Sequence, residues 1–359
     1  REISLKFHTL GSMKRRGFIK GAFGLAVGAG SSGSALAQIM PDPAPASETA
    51  QTSYSDFEKI ITHTAKDTDV LCMLDENHGD VSLRSPLTDR RVLETARKAG
   101  YKNIQLEMPK DAAAIAEKYM RGEATREQFK NFALKELDRH VAENPLRYNK
   151  QEKADYASYL NAYNDSILDV MDTAHDTGIK VHFPDTMTTR QHMALGEKLK
   201  DSVKNGDTEL SLLERERLKD DPLIADKIAA EDGKTIVMYG ALHFFQKSPS
   251  NIDDGLEARG LRTTKVLMTN SALTVHMIEK FVEIRAEKSD AATEQIGARL
   301  KQMGFADNVK DLDVPNFTYQ VHKNQAAQHT DRFQPPPSDK SPAQNPGVKA
   351  LPTQPRNGG

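Results

Sequence analysis

The chain has 359 residues, 28% of them charged, with 49 Lys+Arg against 51 Asp+Glu and a formal net charge of -2. That balance excludes the strongly basic surface on which nucleic-acid binding depends. One cysteine, Cys72, excludes an internal disulfide, so a hydrophobic core must supply the stability.

In chain order, the first feature is "MKRRGFIKGAFGLAVGAGSSGSALAQ". A basic pair, Arg15-Arg16, leads into a Gly/Ala-rich apolar stretch and the small-x-small site Ala35 to Ala37. This is the pattern of a signal peptide of the twin-arginine type, and it predicts periplasmic or secreted protein. The stretch is too short and glycine-rich to span a bilayer, so no stable membrane span is expected after cleavage. Residues 1–37 are therefore assigned to the signal with its upstream residues, and 38–51 to a linker. A domain is expected over 52–321. Residues 322–359 are rich in Pro, Gln and Asn without apolar periodicity, and a disordered tail is expected there.

Within the domain, short apolar runs predict strands at 69–74, 103–107, 179–183, 235–239, 264–268 and 317–321. Helical patterns separate them. One is "PLTDRRVLETARKAG", with Pro86 near its start and Gly100 at its end. A longer one, "DYASYLNAYNDSILDVMDTAHDTG", ends at Gly178. Alternating strands and helices predict an α/β fold, a mostly parallel sheet covered by helices on both faces. The helical insert from 110 to 178 is expected to cap one edge of that sheet.

Open parallel sheets bind ligands beyond the carboxyl ends of their strands. The first run ends in Asp75, Glu76, Asn77 and His78. The second ends in Glu107, the third in Asp185, and the fourth in "GALH" with His243. Each alone reads as a cap or an ion pair, but together they place acids and imidazoles at successive strand ends. Glu76, His78, Glu107 and His243 are thus the candidate catalytic residues. Asp80, Arg90 and Asp185 are candidates for orienting the histidines. His140, His175, His182, His192 and His276 read as surface or packing residues, and "LERERLKDD" as a solvated helix face. Cys72 lies among strand residues and reads as a small hydrophobe.

The segments "LDENHGD", "QLEMP" and "MYGALHF" resemble the spaced G-E-x-H, L-E-x-P and G-x-x-H signatures of the erythromycin esterase/ChaN-like superfamily, related to the TraB–Tiki proteins. The resemblance runs from about Val70 to the last strand. It implies functional roles for Glu76, His78, Glu107 and His243 in lactone or ester opening, metal-dependent proteolysis, or haem binding. Two departures stand out. Asp75 occupies the place of a glycine, and Asp220 stands where an arginine is expected; Arg217, one helical turn earlier, is placed to substitute for it.

Three functions follow as expectations. The first is an exported hydrolase of an ester, lactone or amide/peptide bond, with a small-molecule or peptide substrate. In a metal-free form, His78 or Glu76 is the general base, Glu107 orients it or takes a proton, and His243 stabilises the oxyanion. In a metal form, His78, Glu107 and His243 hold a divalent ion and Glu76 is the base. The second is a haem-binding protein of the ChaN type. The third is a catalytically degenerate exported binding protein. No glycine-rich nucleotide fingerprint is present, so no nucleotide cofactor is expected.

Overall fold

The computed structural model describes residues 54–77, 80–205, 216–244, 251–286 and 315–321. The signal segment, linker and tail lie outside the described residues, as do His78 and Gly79.

Six parallel strands form one sheet in the order β3-β2-β4-β1-β5-β6. They are β1 (Val70–Asp75), β2 (Tyr101–Leu106), β3 (Lys180–His182), β4 (Lys234–Gly240), β5 (Thr263–Thr269) and β6 (Phe317–Gln320). Each overlaps one apolar run of the sequence. Every residue of β1 is buried, as a central strand covered on both faces requires. Its side chains alternate. Leu71 and Met73 join Ile236, Met238, Val266 and Met268 in one core, while Val70, Cys72 and Leu74 join Val237, Tyr239 and Leu267 in the other.

Ten α-helices surround the sheet among the described residues. α1 (Ser55–Thr64), α2 (Ser85–Thr88) and α3 (Arg90–Lys98) pack on the first core. The expected single helix over this region is broken at Asp89, whose backbone is extended and whose side chain accepts from Arg91 N and Val92 N. Its carboxylate is thus an N-cap, and it starts a new helix.

The insert between β2 and β3 contains α4 (Lys110–Met120), α5 (Arg126–Glu143) and α6 (Lys150–Thr177). Capping boxes start α5 (Thr125 with Gln128) and α6 (Asn149 with Glu152). Gly178, at φ 71°, ends α6 in the left-handed conformation. The insert has its own small core of Ala133, Leu137, Tyr156 and Leu160, closed by Met193 of α7 (Thr189–Asn205). Further along α6, Ile167, Leu168, Val170, Met171 and Ala174 pack in the sheet's core. One helix therefore runs from cap to sheet, and its middle, Tyr163 to Ser166, reaches the carboxyl edge.

The other face carries α8 (Asp221–Ala229), α9 (Ile252–Glu257) and α10 (Ala272–Ala286), through Ile224, Ile228, Ile252, Leu256, Ile278 and Phe281. No helix of the described residues is long and apolar enough to cross a membrane.

Candidate functional site at the carboxyl edge of the sheet

β2 and β4 lie side by side, with Leu106 opposite Met238. Glu107 N still donates to Met238 O at 3.2 Å, so the strand geometry carries Glu107 to the edge. β4 turns at Gly240 into a short 3-10 turn, Ala241–His243, which returns the imidazole over the strand end. Glu107 and His243 thus meet: His243 Nε2 lies 3.8 Å from Glu107 Oε1.

Both carboxylate oxygens of Glu107 are engaged. Arg217 Nη2 donates to Oε1 at 2.9 Å and Gly240 N to Oε2 at 2.8 Å. The same Arg217 nitrogen donates to Asp185 Oδ2 at 3.1 Å. Arg217 is 2% exposed, so the solvated-face reading of its segment fails at this residue. Two carboxylates compensate the buried guanidinium, as a buried charge requires. Burial would lower the Arg217 pKa, but Asp185, Glu107 and Asp221 together hold it above its ordinary value.

Asp185 is fully buried and well supplied with donors. Thr186 N and Met187 N reach its Oδ1 at 2.6 and 3.0 Å, and His192 Nε2 lies 3.1 Å from Oδ2. Burial pushes its pKa up, yet Arg217 and His192 outweigh that and hold it below the ordinary carboxylate value. Asp185 therefore orients Arg217, which orients Glu107. His192, expected as a packing residue, belongs to this chain of contacts. His140 is also paired, 2.9 Å from Glu197, away from the strand ends.

On the far side of His243, Asp221 Oδ1 lies 2.7 Å from Nδ1. Burial raises the Asp221 pKa against the opposing effects of His243 and Arg217. The sequence reading missed Asp221. Its only trace is the doubled acid of "KDDP" at the start of α8, which reads as ordinary helix-start chemistry.

Glu76 sits apart from this group. β1 ends at Asp75, whose Oδ1 accepts from Asn77 N at 2.9 Å and so turns the chain. The side chain of Glu76 accepts from Thr274 Oγ1 at 2.7 Å and from Thr269 Oγ1, beside β5. Burial raises its pKa; the two hydroxyls oppose this, and Asp75 and Asp80 add to it. Asp80 pairs with Asn270 and caps Ser82 rather than orienting a described histidine. Arg90 is exposed and pairs with Glu94.

A buried linkage spans the gap between the two groups. Arg84 Nη1 donates to Asp75 Oδ2 at 2.9 Å, and its Nε donates to Ser166 Oγ at 2.9 Å. Its guanidinium carbon lies 4.5 Å from the centre of the Tyr163 ring. Tyr163 in turn donates its hydroxyl to Glu107 O at 2.5 Å. Asp75 is thus the anchor that ties β1 to the cap.

No family model matches the chain, and no curated protein matches it at a significant level. Solved structures similar to it include the type III effector HopBA1, with TM-score 0.33 and 16% identity over 58% of this chain and 81% of that one. Another is RRSP, a MARTX toxin effector domain from Vibrio vulnificus CMCP6, with TM-score 0.29 and 14% identity over 58% of this chain and 35% of that one. The similarity to these bacterial effector and toxin domains is distant and assigns no family.

Among the described residues no group of three or more His, Cys, Asp or Glu side chains is arranged to hold a metal ion. Of the expected set, Glu107 and His243 are described and His78 is not, and at Glu107 a divalent ion would have competitors. A guanidinium already occupies one oxygen of Glu107 and a backbone N–H the other, and a metal there would face the Arg217 charge.

Proposed function

We propose that the chain is an exported hydrolase of an ester, lactone or amide bond that works without a metal. The observation that carries this reading is the Asp221–His243 pair, with Nε2 of the imidazole turned toward Glu107. Asp221 accepts from Nδ1–H, which leaves Nε2 as the proton acceptor. Nε2 takes a proton from a water whose oxygen bonds to the substrate's carbonyl carbon. Glu107, fixed by Arg217 and Gly240 N, orients that water. When the bond to the leaving oxygen or nitrogen breaks, the imidazolium returns its proton to that atom. This moves the base from Glu76 or His78, as expected from the sequence, to His243. Glu76, which burial disposes to keep its proton, is the second acid of the edge. Export rests on the RRGFIK segment, and the erythromycin esterase/ChaN-like resemblance favours a carbonyl substrate.

The test is turnover on a panel of esters, lactones and peptides, with melting temperature recorded on the same samples. Glu107→Gln and His243→Ala are each expected to lower turnover by at least about 100-fold, the scale of general base catalysis, while the protein stays folded. Unchanged turnover in both variants sinks the proposal. A wild type inert across the panel favours the binding-protein reading instead.

A further inference from the structure

The ladder between β2 and β3 ends at Gln105 and His182. Glu107 and Asp185 both lie beyond it, and β3 is an edge strand of 3 residues. Pairing of these two strands therefore does not set the distance between the two carboxylates. Yet one nitrogen, Arg217 Nη2, donates to Glu107 Oε1 at 2.9 Å and to Asp185 Oδ2 at 3.1 Å. Two like charges brought to a shared donor repel each other, and both bonds weaken as the geometry opens. Contacts outside the ladder must hold the two strand ends at this separation.

The segments that follow the two strands are joined again further on. Lys110 N donates to Met187 O at 2.8 Å. Asp111, in the first turn of α4, reaches across to the first residue of α7. Its Oδ1 accepts from Thr189 N at 2.8 Å and from Thr189 Oγ1 at 2.9 Å, as well as from Ala112 N of its own helix at 3.1 Å. Thr189 is buried. An aspartate in a first turn ordinarily serves its own helix. This one also grips the start of α7, the helix that carries His192 to Asp185 Oδ2. On the other side of the same loop, Thr186 Oγ1 donates to Asp220 Oδ2 at 2.8 Å, which ties it to the segment that carries Arg217.

We propose that Asp111 is a positioning residue of the carboxyl-edge site: through Thr189 it holds the Asp185 loop against the segment after Glu107, at the separation where one Arg217 nitrogen serves both carboxylates. Without Asp111, the loop is free to move outward, Arg217 follows Asp185 or Glu107 but not both, and the Glu107 carboxylate loses its fixed orientation toward His243. The effect on turnover rests on the hydrolase reading above; the effect on Arg217 does not.

The experiment compares Asp111→Ala and Asp111→Asn with Thr125→Ala in the full chain. Asparagine keeps an acceptor oxygen and should keep the bonds to Thr189. Thr125→Ala removes the cap of α5 and supplies a loss of stability that leaves the contacts of Arg217 in place. The first readout is the nitrogen NMR signals of the Arg217 guanidinium, assigned by their loss in Arg217→Lys. They should shift and broaden in Asp111→Ala and stay in place in the other two variants. The second is turnover on the ester, lactone and peptide panel. For Asp111→Ala, kcat should fall about 10- to 100-fold, the scale of a small misplacement, with KM within about twofold of wild type, and Asp111→Asn should restore it. A residue that only caps helices would lower the melting temperature, as Thr125 does, and leave the Arg217 signals unmoved; that result overturns the proposal. Signals that shift as far in Asp111→Asn as in Asp111→Ala overturn it too. If Asp111→Ala does not fold, Thr189→Val takes its place, because it loses only the Oγ1 bond, and unmoved Arg217 signals there overturn the proposal equally. A wild type without turnover removes the hydrolase reading and leaves the NMR comparison to decide the role of Asp111.

Discussion

Replacing Arg217 with leucine tests the central electrostatic claim. The side chains of Arg217 and Asp185 are 2% and 0% exposed, and that of Glu107 is 13% exposed. Removing the cation from a buried pair costs about 3–5 kcal/mol, because the partner charge is left uncompensated. Here one cation serves two carboxylates, which pushes the cost up. Asp185 keeps Thr186 N, Met187 N and His192, which pulls it down. A loss of about 3–5 kcal/mol corresponds to a fall in melting temperature of roughly 6–20 °C for a domain of this size. The pH dependence has a fixed sign. Asp185 is held below its ordinary value in the folded protein, so its contribution is present above the unfolded carboxylate pKa and is lost as pH falls through the folded value. The gap between wild type and Arg217→Leu should therefore be largest near neutral pH and narrow toward acid, as Asp185 takes up a proton. Urea denaturation followed by circular dichroism at neutral and acid pH measures it. A loss below about 1 kcal/mol at neutral pH, or a gap that does not narrow in acid, refutes the reasoning.

Three further outcomes are expected. Glu76 binds its proton more tightly folded than unfolded, so it lowers stability as pH rises through its folded value; Glu76→Gln should raise the melting temperature at pH 8 relative to pH 4, and an equal change at both would refute this. Gly178→Ala puts a Cβ on a residue at φ 71° with Arg97 Nη1 2.9 Å away, and should cost about 1–2 kcal/mol in chemical denaturation, with Gly178→Asn costing less. Tyr163→Phe removes the hydroxyl that donates to Glu107 O; it should cost about 1 kcal/mol by the same assay and lower turnover more than a distant variant of equal stability.

The sheet was legible because each strand is an apolar run of the right length between turn residues, and burial on both faces makes such runs continuous. The edge was legible because the acids and imidazoles follow those runs directly. What escaped the sequence came from elements remote in the chain. Asp221 reaches His243 across 22 positions, Arg217 reaches Glu107 across 110, and Arg84 reaches Ser166 across 82. Locally, Asp221 reads as a helix start, and Arg217 stands out from its charged helix only through the family resemblance. Only packing turns them inward. The partner of His192 is of the same kind, since a buried packing imidazole on a helix has no local mark of the Asp185 that lies opposite.

The edge thus divides into two electrostatic environments that one strand-end glutamate each occupies. Around Glu107, Arg217 and a backbone N–H meet the carboxylate with donors, and the Arg217 charge is shared with Asp185. Around Glu76 the donors among the described residues are the neutral hydroxyls of Thr269 and Thr274, and the nearby charges of Asp75 and Asp80 oppose ionisation. Asp75 and Arg84 lie between the two: their mutual ion pair is nearly inaccessible, Arg84 stacks on Tyr163, and the Tyr163 hydroxyl donates to the backbone oxygen of Glu107.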